Sequence, residues 1–294
     1  MADKYYDLNV IDQGNFVRNL ENLKQLTKLG YNIVALNRSF LYPNKAKKET
    51  DFAPYTPTIE ALQKALNKDT ELASLKLKPV KVLSRITIPI SEVGQFGILK
   101  GVFYRRSIKD ADIVAMRPGN ERIVKMIAEH KTVCDIIALN LEEKLDFIPK
   151  FKTLREAVEN GISWEICYAP AIRSTSSRKY IFRYGVDIVE RAKHGKGIIF
   201  SSGGEHIMDF RSPHDVMNLA NLFILKGDER SRVITTNPKN TVQYSETRHF
   251  TTHNAMIVEK IKEDKEEELS STVTPESAKN EVDAGPSKKK RKKR

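Results

Sequence analysis

Short apolar runs alternate with helical patterns along most of the chain. Near-continuous apolar runs of this length are typical of parallel strands that are buried on both faces. Eight strands that alternate with helices predict an α/β fold, a TIM-barrel-like (β/α) barrel, with an open doubly wound sheet as the alternative. The pattern leaves open whether seven or eight strands close the barrel. The eight runs are Tyr5–Val10, Tyr31–Leu36, Val80–Ile90, Asp112–Met116, Asp135–Leu139, Ser163–Tyr168, Gly197–Ser201 and Arg232–Thr235.

Two of the intervening helices carry start or stop signals. Apolar residues of segment 16–23 share one face of the first helix, and Gly30 suits the left-handed position that follows its last turn. Thr153 and Glu156 have the spacing of a capping box at the start of a later helix, and Gly161 suits its end.

A third helix is predicted between Ser212 and Gly227. Ser212 is placed as the N-cap, Pro213 as the first helical residue and Asp215 as an acidic residue of the first turn. Gly227 is predicted to end this helix.

The sequence divides into a predicted barrel domain, residues 1–255, and a predicted disordered tail, residues 256–294. Segment 42–57 holds three prolines and several lysines and predicts an exposed loop. From about Lys260 the chain is rich in Lys, Glu and Ser, a composition that cannot build a core. A run of seven basic residues predicts a nuclear-targeting signal. The run consists of Lys288, Lys289, Lys290, Arg291, Lys292, Lys293 and Arg294.

Charge and cysteine content narrow the class of protein. The formal charge is +12, and it falls to +5 without the seven terminal cations, so the predicted barrel is itself basic. A basic body favours a polyanionic partner such as nucleic acid. Cys134 and Cys167 both lie within apolar elements, which favours free thiols in a reducing compartment. We expect an intracellular protein, since no run of eighteen apolar residues and no secretory leader is seen.

Residues that follow the predicted strands should share one end of the barrel, the end at which barrel enzymes carry their active sites. This end is rich in Asn and Arg, with Asn9, Asn37, Arg117 and Asn140 after four of the strands. The turn of residues 201–204 reads Ser-Ser-Gly-Gly and could present backbone N–H groups to a phosphate, with a tight turn as the alternative.

Motifs of catalysis are scarce. His206, Asp209 and His214 are the one grouping that could hold a metal, as in a metal-dependent phosphoesterase. Against that alternative, the sequence has no H-x-H, H-E-x-x-H or paired C-x-x-C motif, no phosphate-binding loop with GK[ST] and no G-x-S-x-G elbow. We therefore predict no catalytic residue, no metal ligand and no cofactor.

A cationic segment gives a stronger signal. In segment 174–194 an apolar stripe predicts a helix, with cations around it and four hydroxyl side chains in residues 174–177 before it. Arg, Lys, hydroxyl groups and helix amino termini together are the usual ligands of nucleic-acid phosphates. The alternative is an ordinary solvated helix face. The predicted RNA contacts are Arg173, Arg178, Lys179, Arg183, Arg211, Arg248 and Arg85.

Several motifs in one order resemble a known family. YDLNV, GYNIVALN, KVLSRITIPI, EICYAPAIRSTSSRKY, GIIFSSGGE and SPHDVMNLANLF look like the thirty-kilodalton-class protein subunit of eukaryotic nuclear ribonuclease P and ribonuclease MRP. The resemblance runs from about Asp7 to about Arg248.

The resemblance implies a barrel distantly similar to metal-dependent phosphoesterases, with Asp7-Leu8-Asn9 in the place of their His-x-His pair. It also implies a non-catalytic, RNA-binding subunit of a ribonucleoprotein whose RNA matures the 5′ end of precursor transfer RNA. The implied partners are the ribonuclease P/MRP RNA and proteins such as a small ferredoxin-like Pop subunit. The implied location is the nucleus and nucleolus, with ribosomal RNA processing as the MRP role. A structural protein that makes no RNA contact is the remaining alternative.

Overall fold

A computed structural model describes residues 4–40, 56–102, 111–130, 133–252 and 255–256. These residues form seven parallel strands in sequential order, each hydrogen-bonded to the next. A short antiparallel pair, β8 (Thr251–Thr252) and β9 (Ala255–Met256), follows. The seven strands are β1 (Tyr6–Ile11), β2 (Ile33–Ser39), β3 (Lys81–Ile90), β4 (Ile113–Pro118), β5 (Ile136–Ile137), β6 (Ser163–Cys167) and β7 (Ile198–Ser201).

Helices connect the strands and cover the outside of the sheet. Two 3₁₀ turns, Ile207–Asp209 and Ala220–Phe223, complete the described elements. No helix among the described residues is long and apolar enough to cross a membrane. The helices are α1 (Phe16–Leu29), α2 (Thr56–Asn67), α3 (Thr70–Ser74), α4 (Val93–Val102), α5 (Glu121–Glu129), α6 (Phe151–Glu159), α7 (Ala169–Arg173), α8 (Thr175–Arg191), α9 (Pro213–Leu219), α10 (Asp228–Arg232) and α11 (Thr236–Phe250).

The sheet closes on itself, so the barrel is confirmed over the open doubly wound sheet. Val10 of β1 forms an isolated parallel bridge with Gly204, which follows β7 in the sequence. The N–H of Ile11 donates to the carbonyl of Gly204 at 2.9 Å, and the N–H of Gly203 donates to that of Asn9 at 2.8 Å. These bonds join the first strand to the segment that follows the last one.

The predicted eighth strand, Arg232–Thr235, is wrong. This segment is the end of α10 and the turn before α11. Val233 and Ile234 are nevertheless buried, and their carbonyls accept from the N–H groups of Phe200 (3.0 Å) and Tyr6 (3.1 Å). The apolar pair thus fills the gap between β7 and β1 at the amino-terminal end of the barrel, which explains its strand-like composition.

The inside of the barrel is apolar at its amino-terminal end. Helix α11 packs across that end, contacting β1, β4, β6 and β7. Its Val242 belongs to the inner cluster, and its Thr241 Oγ1 lies 2.7 Å from Ser163 Oγ. The helix therefore closes this end, and the polar chemistry is confined to the other one. The inner cluster consists of Tyr6, Leu8, Ala35, Leu83, Ile113, Ala115, Ile136, Ala138, Ile199 and Val242.

Two of the predicted helix signals are confirmed. Gly30 ends α1 with φ 99°. Ser212 caps α9, since its Oγ accepts from the N–H of Asp215 at 3.2 Å, and Pro213 is the first helical residue.

Two other signals are wrong. Helix α6 begins at Phe151, two residues before the predicted capping box, and Thr153 is buried within its first turn. The segment after α9 ends at Ile224 in the left-handed conformation, whereas Gly227 precedes the next helix.

Candidate nucleic-acid interface

A buried polar network fills the carboxyl-terminal end of the barrel, here called the mouth. Asn37 Nδ2 donates to Asn9 Oδ1 at 2.7 Å, and Asn9 Nδ2 donates to Glu165 Oε2 at 3.1 Å. Thr87 Oγ1 donates to Asn37 Oδ1 at 2.8 Å, and the guanidinium of Arg85 completes the network from β3. Asn9 and Asn37, two of the asparagines that the sequence placed at this end, therefore bind each other rather than a ligand.

Arg85 is completely buried, so its predicted RNA contact is wrong. Its Nη1 and Nη2 donate to the two carboxylate oxygens of Glu165 at 2.5 and 2.6 Å, and Nη1 also donates to the Leu8 carbonyl at 2.7 Å. The alternation of β3 explains the error, because Leu83 and Thr87, two residues on either side, also point inward.

The ion pair decides the charge state of the mouth. Burial raises the pKa of Glu165, but the facing Arg85 guanidinium lowers it by more, and the resulting pKa lies below the usual value. Glu165 is therefore ionised and its charge is matched inside the barrel. Burial also raises the pKa of the Cys167 thiol well above its usual value. Cys134 and Cys167 are both free, as predicted.

Asp7 is the polar residue of the mouth to which the sequence assigned no role. Its Oδ1 accepts from the N–H groups of Ser202 (3.0 Å) and Asn9 (3.2 Å), while its buried Oδ2 has no hydrogen-bond partner. Burial raises the pKa of this carboxyl to about 6. No short sequence pattern could predict the surroundings of Asp7, because they are formed by the hydrogen bonds that close β1 onto the segment after β7.

The Ser-Ser-Gly-Gly turn is the tight turn, not a phosphate loop. Its N–H groups are already used, by Asp7 at Ser202, by the Asn9 carbonyl at Gly203 and by Ser202 Oγ at Gly204. The N–H groups of these residues therefore bind the barrel itself.

The residues of the alternative metal site, His206, Asp209 and His214, do not converge. Asp209 Oδ2 accepts from the N–H groups of Glu205 (2.9 Å) and His206 (3.1 Å) and from Arg173 Nη1 (3.0 Å). His214 packs edge-on against Tyr5 instead, with ring centroids 5.8 Å apart. Among the described residues no group of three His, Cys, Asp or Glu side chains could hold a metal ion. The residues present at the mouth do not fit a metal either, since two arginines, Arg85 and Arg117, lie there.

Five of the remaining predicted cations lie around the amino-terminal half of α8, namely Arg173, Arg178, Lys179, Arg183 and Arg211. Ser174 caps this helix, accepting from the N–H of Ser177 at 3.3 Å. Lys179 and Arg183 are exposed, four residues apart on one face, and neither forms an ion pair with a described residue. The apolar stripe was predicted correctly, with Ile181 and Ile188 in the core. The two cations therefore face solvent with their charge unmatched.

Arg178 and Arg211 are held differently, by backbone carbonyls. Arg178 Nε donates to the carbonyl of Ala171 at 2.7 Å, and Arg211 Nη1 donates to those of Met208 and Phe210 at 2.8 and 2.9 Å. Arg173 forms ion pairs with Asp209 and, at 3.4 Å, Glu205. Arg178 and Arg211 keep an unpaired positive charge in a fixed position, whereas that of Arg173 is largely matched.

A groove of about 710 Å³ lies between α8 and α9, with Arg178 and Arg211 in its lining. Its surface is mainly apolar, and Ile172 and Leu222 are 37% and 58% exposed. The groove and the exposed cations of α8 are therefore adjacent surfaces of different character.

Other predicted residues lie outside the described part of the chain. The Arg248 backbone belongs to α11, but its side chain is outside that part. The whole basic run 288–294 also lies outside the described residues.

The fold is a closed parallel (β/α) barrel. The Arg85–Glu165 ion pair is buried in its mouth, and α8 exposes cations that can bind an anionic partner. The family model for RNase P subunit p30 matches residues 4–250. The chain belongs to the RNase P subunit p30 family and is thus a protein subunit of ribonuclease P/MRP.

Relatives and solved structures agree with this assignment. The chain is 30% identical over 220 residues to ribonuclease P protein subunit p30 of Mus musculus, covering 75% of this chain and 78% of the relative. It is 28% identical over 250 residues to the probable ribonuclease P protein subunit 3 of Schizosaccharomyces pombe, covering 84% and 96%. A chain in the cryo-EM structure of archaeal ribonuclease P with mature tRNA has the same fold, with a TM-score of 0.60, 17% identity and coverage of 89% and 100%.

Proposed function

We propose that this chain is a non-catalytic subunit that binds the RNA of ribonuclease P and MRP. In this proposal it supports 5′-end maturation of precursor tRNA and processing of ribosomal RNA while the RNA cuts. The observation that carries the proposal is the amino-terminal half of α8, where Lys179 and Arg183 present unmatched charge beside a capped helix amino terminus. Phosphate groups are bound by this combination of cations and helix amino termini.

The mouth of the barrel supports the absence of catalysis. Arg85 matches the charge of Glu165, Asn37 Nδ2 donates to Asn9 Oδ1 at 2.7 Å, and Asn9 Nδ2 donates to Glu165 Oε2 at 3.1 Å. A general base or metal-bound water needs an accessible group, whereas these groups are buried and partnered. These residues therefore do not favour a metal-dependent phosphoesterase activity.

Two kinds of contact follow from the two surfaces. RNA phosphates are assigned to Lys179 and Arg183, with Arg173, Arg178, Arg211 and Arg248 as further predicted contacts. The groove between α8 and α9 suits an apolar segment of a partner protein, because the exposed groove residues Ile172 and Leu222 are aliphatic, whereas single-stranded RNA is usually bound by aromatic stacking. The resemblance to the family suggests a small ferredoxin-like Pop subunit as that partner.

The location is proposed as the nucleus, and the nucleolus for the MRP particle. The relatives include a ribonuclease P subunit of Mus musculus and a ribonuclease P/MRP subunit of Saccharomyces cerevisiae, and the run of residues 288–294 has the composition of a nuclear-targeting signal. The division into a barrel, residues 1–255, and a tail, residues 256–294, belongs to the same proposal. Deletion of Lys288–Arg294 should reduce nuclear accumulation of a fluorescent fusion.

The salt dependence of RNA binding tests the proposal. The full chain is titrated onto in-vitro-transcribed ribonuclease P RNA at several salt concentrations, and log K is plotted against log salt. Each phosphate contact contributes about 0.7–0.9 to the slope. Lys179→Gln/Arg183→Gln should therefore flatten the slope by about 1.4–1.8.

The matched control is Lys64→Gln/Lys68→Gln, which removes the same charge from two exposed positions, Lys64 on α2 and Lys68 directly after it. It should leave the slope close to that of the unaltered chain. Equal slopes for both double variants would remove the α8 cations from the proposal. Absence of any salt-dependent RNA binding by the unaltered chain would contradict RNA binding itself.

A further inference from the structure

A second cationic surface lies at the opposite end of α8. Two of its cations, Arg191 and Lys193, belong to the cationic segment 174–194, but none of its residues is among the predicted RNA contacts. Helix α8 starts at the carboxyl-terminal end of the barrel and ends near the start of β7. Its 17 residues make it about 25 Å long, because an α-helix rises about 1.5 Å per residue. A small pocket here is lined by Arg155, Arg191, Lys193 and Lys196, with Glu159 as the one carboxylate in its lining. We name these four cations the lower cation cluster.

The lower cation cluster keeps most of its charge unmatched. Arg155 Nε donates to Glu159 Oε1 at 2.6 Å, whereas Arg191 Nη1 donates to the carbonyl of Pro149 at 2.8 Å. The pKa of Glu159 lies below its usual value because of Arg155 first and also because of Lys196 and Lys193. One carboxylate thus faces four cations, which leaves a net charge of three for an outside anion.

The turn that carries the two lysines is built to hold them in place. Lys193 and His194, neither of them glycine, have φ angles of 49° and 58°, in the left-handed region that such residues rarely adopt. Strain of this kind persists only where the surroundings over-determine the backbone. The turn therefore presents its side chains from a fixed position.

The surroundings of the turn supply that constraint. Asn237 Nδ2 donates to the carbonyls of Gly195 (2.9 Å) and Ile198 (2.6 Å). A Cβ on Gly195 would lie 2.6 Å from Leu225 Cδ2, and one on Gly197 would lie 2.5 Å from Val158 Cγ2. The backbone is thus packed against the barrel, while Lys193, His194 and Lys196 remain exposed.

We propose that the lower cation cluster binds phosphate groups of the RNA backbone, as a second contact separate from Lys179 and Arg183. Protein interfaces are depleted in lysine, whereas phosphates are commonly bound by lysine and arginine, so RNA is favoured over an acidic protein surface. The carbonyl ends of α6 and α8 stabilise the cations in the free protein. This inference rests on the proposed RNA-binding function.

The test again uses the full chain and in-vitro-transcribed ribonuclease P RNA. The variant Lys193→Asn/Lys196→Gln removes two cations, and asparagine is chosen at 193 because it tolerates the left-handed conformation. We expect a slope of log K against log salt that is flatter by about 1.4–1.8, with weaker binding at every salt concentration. The charge reversal Lys196→Glu, which leaves the strained residues unchanged, should weaken binding further than Lys196→Gln.

The outcomes separate this inference from the proposed function. If Lys179→Gln/Arg183→Gln flattens the slope and the lower-cluster variant matches the Lys64→Gln/Lys68→Gln control, the second contact is overturned and the function stands. The second contact is likewise overturned if the lower-cluster variant impairs assembly with protein subunits but keeps the unaltered slope for RNA. If the unaltered chain shows no salt-dependent binding, both proposals fail. Thermal unfolding of each variant confirms that the fold is retained.

Discussion

Arg85 and Glu165 face each other inside the barrel through two nitrogen–oxygen contacts of 2.5 and 2.6 Å, although 80 residues separate them in the sequence. Both side chains are completely buried. The pair therefore acts as an internal link between β3 and β6 and removes both charges from the molecular surface.

Loss of one partner should be costly. Arg85→Met leaves the Glu165 carboxylate buried without its cation, and we expect the free energy of unfolding to fall by about 3–5 kcal/mol. Urea denaturation followed by circular dichroism measures the change. A loss below about 1 kcal/mol would mean that the pair does not hold the barrel together.

The matched variant removes both charges. Arg85→Met/Glu165→Met should be less destabilised than the sum of the single variants, because neither charge is left uncompensated. Since Arg85 is not at the surface, Arg85→Met/Glu165→Met, which removes the Arg85 charge, should keep the salt slope of RNA binding unchanged. A flatter slope for this double variant would restore the phosphate contact that the burial of Arg85 contradicts.

Asp7 should make stability depend on pH. Its pKa in the fold is about 6, above the ordinary value of 3.8, so the fold favours the neutral acid. This contribution is complete below about pH 4 and is lost as the pH rises through about 6. The difference between these two pKa values corresponds to a contribution to stability on the order of 3 kcal/mol. Asp7→Asn should therefore show a smaller loss of stability between about pH 4.5 and pH 7.5 than the unaltered chain.

The control for this experiment is Asp228→Asn, a substitution at an exposed carboxylate. Its pH profile should follow that of the unaltered chain. Parallel profiles for Asp7→Asn and the unaltered chain would show that Asp7 is not the titrating group.

A side chain at position 185 should destabilise the fold. A Cβ at this position of α8 would lie 2.5 and 2.7 Å from two ring carbons of Phe223, which is buried. Gly185→Ala should lower the free energy of unfolding by about 1–3 kcal/mol through overpacking. Gly94→Ala in α4 is the control, since its Cβ meets nothing within 4 Å and alanine favours the helix by about 0.5–1 kcal/mol. Equal effects of the two changes on urea denaturation would contradict the packing.

The groove between α8 and α9 should serve protein assembly. Leu222 is 58% exposed there, so Leu222→Asp should cost little stability but reduce the recovery of partner subunits with the tagged chain, on the order of tenfold. Leu75→Asp is the control, because Leu75 is 54% exposed and does not line the groove. Recovery that is equal for both variants would remove the groove from the assembly surface.

The strands of the barrel could be predicted because they are near-continuous apolar runs. Seven of the eight predicted runs form strands, with bounds that shift by at most three residues. The eighth, Arg232–Thr235, has the same composition because Val233 and Ile234 are buried at the gap between β7 and β1. The apolar composition of this segment reflects its burial. Whether its backbone forms a strand depends on β1 and β7, and β1 is far away in the sequence.

Only those parts of the candidate site that lie within one continuous segment of the chain could be predicted from the sequence. The cations of α8 follow from the helical period of one segment, which places Lys179 and Arg183 on one face away from the apolar stripe. Arg85 was misassigned because its partner, Glu165, lies on another strand. The lower cation cluster was missed as a site because it joins the ends of α6 and α8 with a turn, and no single segment contains all of its members.

The most direct test of non-catalytic function is cleavage of precursor tRNA by the purified full chain, free of RNA and supplied with Mg²⁺ or other divalent metals. We expect no cleavage at the 5′ maturation site by the protein alone, and cleavage once the ribonuclease P RNA and the other protein subunits are added. Specific cleavage by the RNA-free protein, lost in His206→Ala, would contradict the account and favour a metal-dependent phosphoesterase.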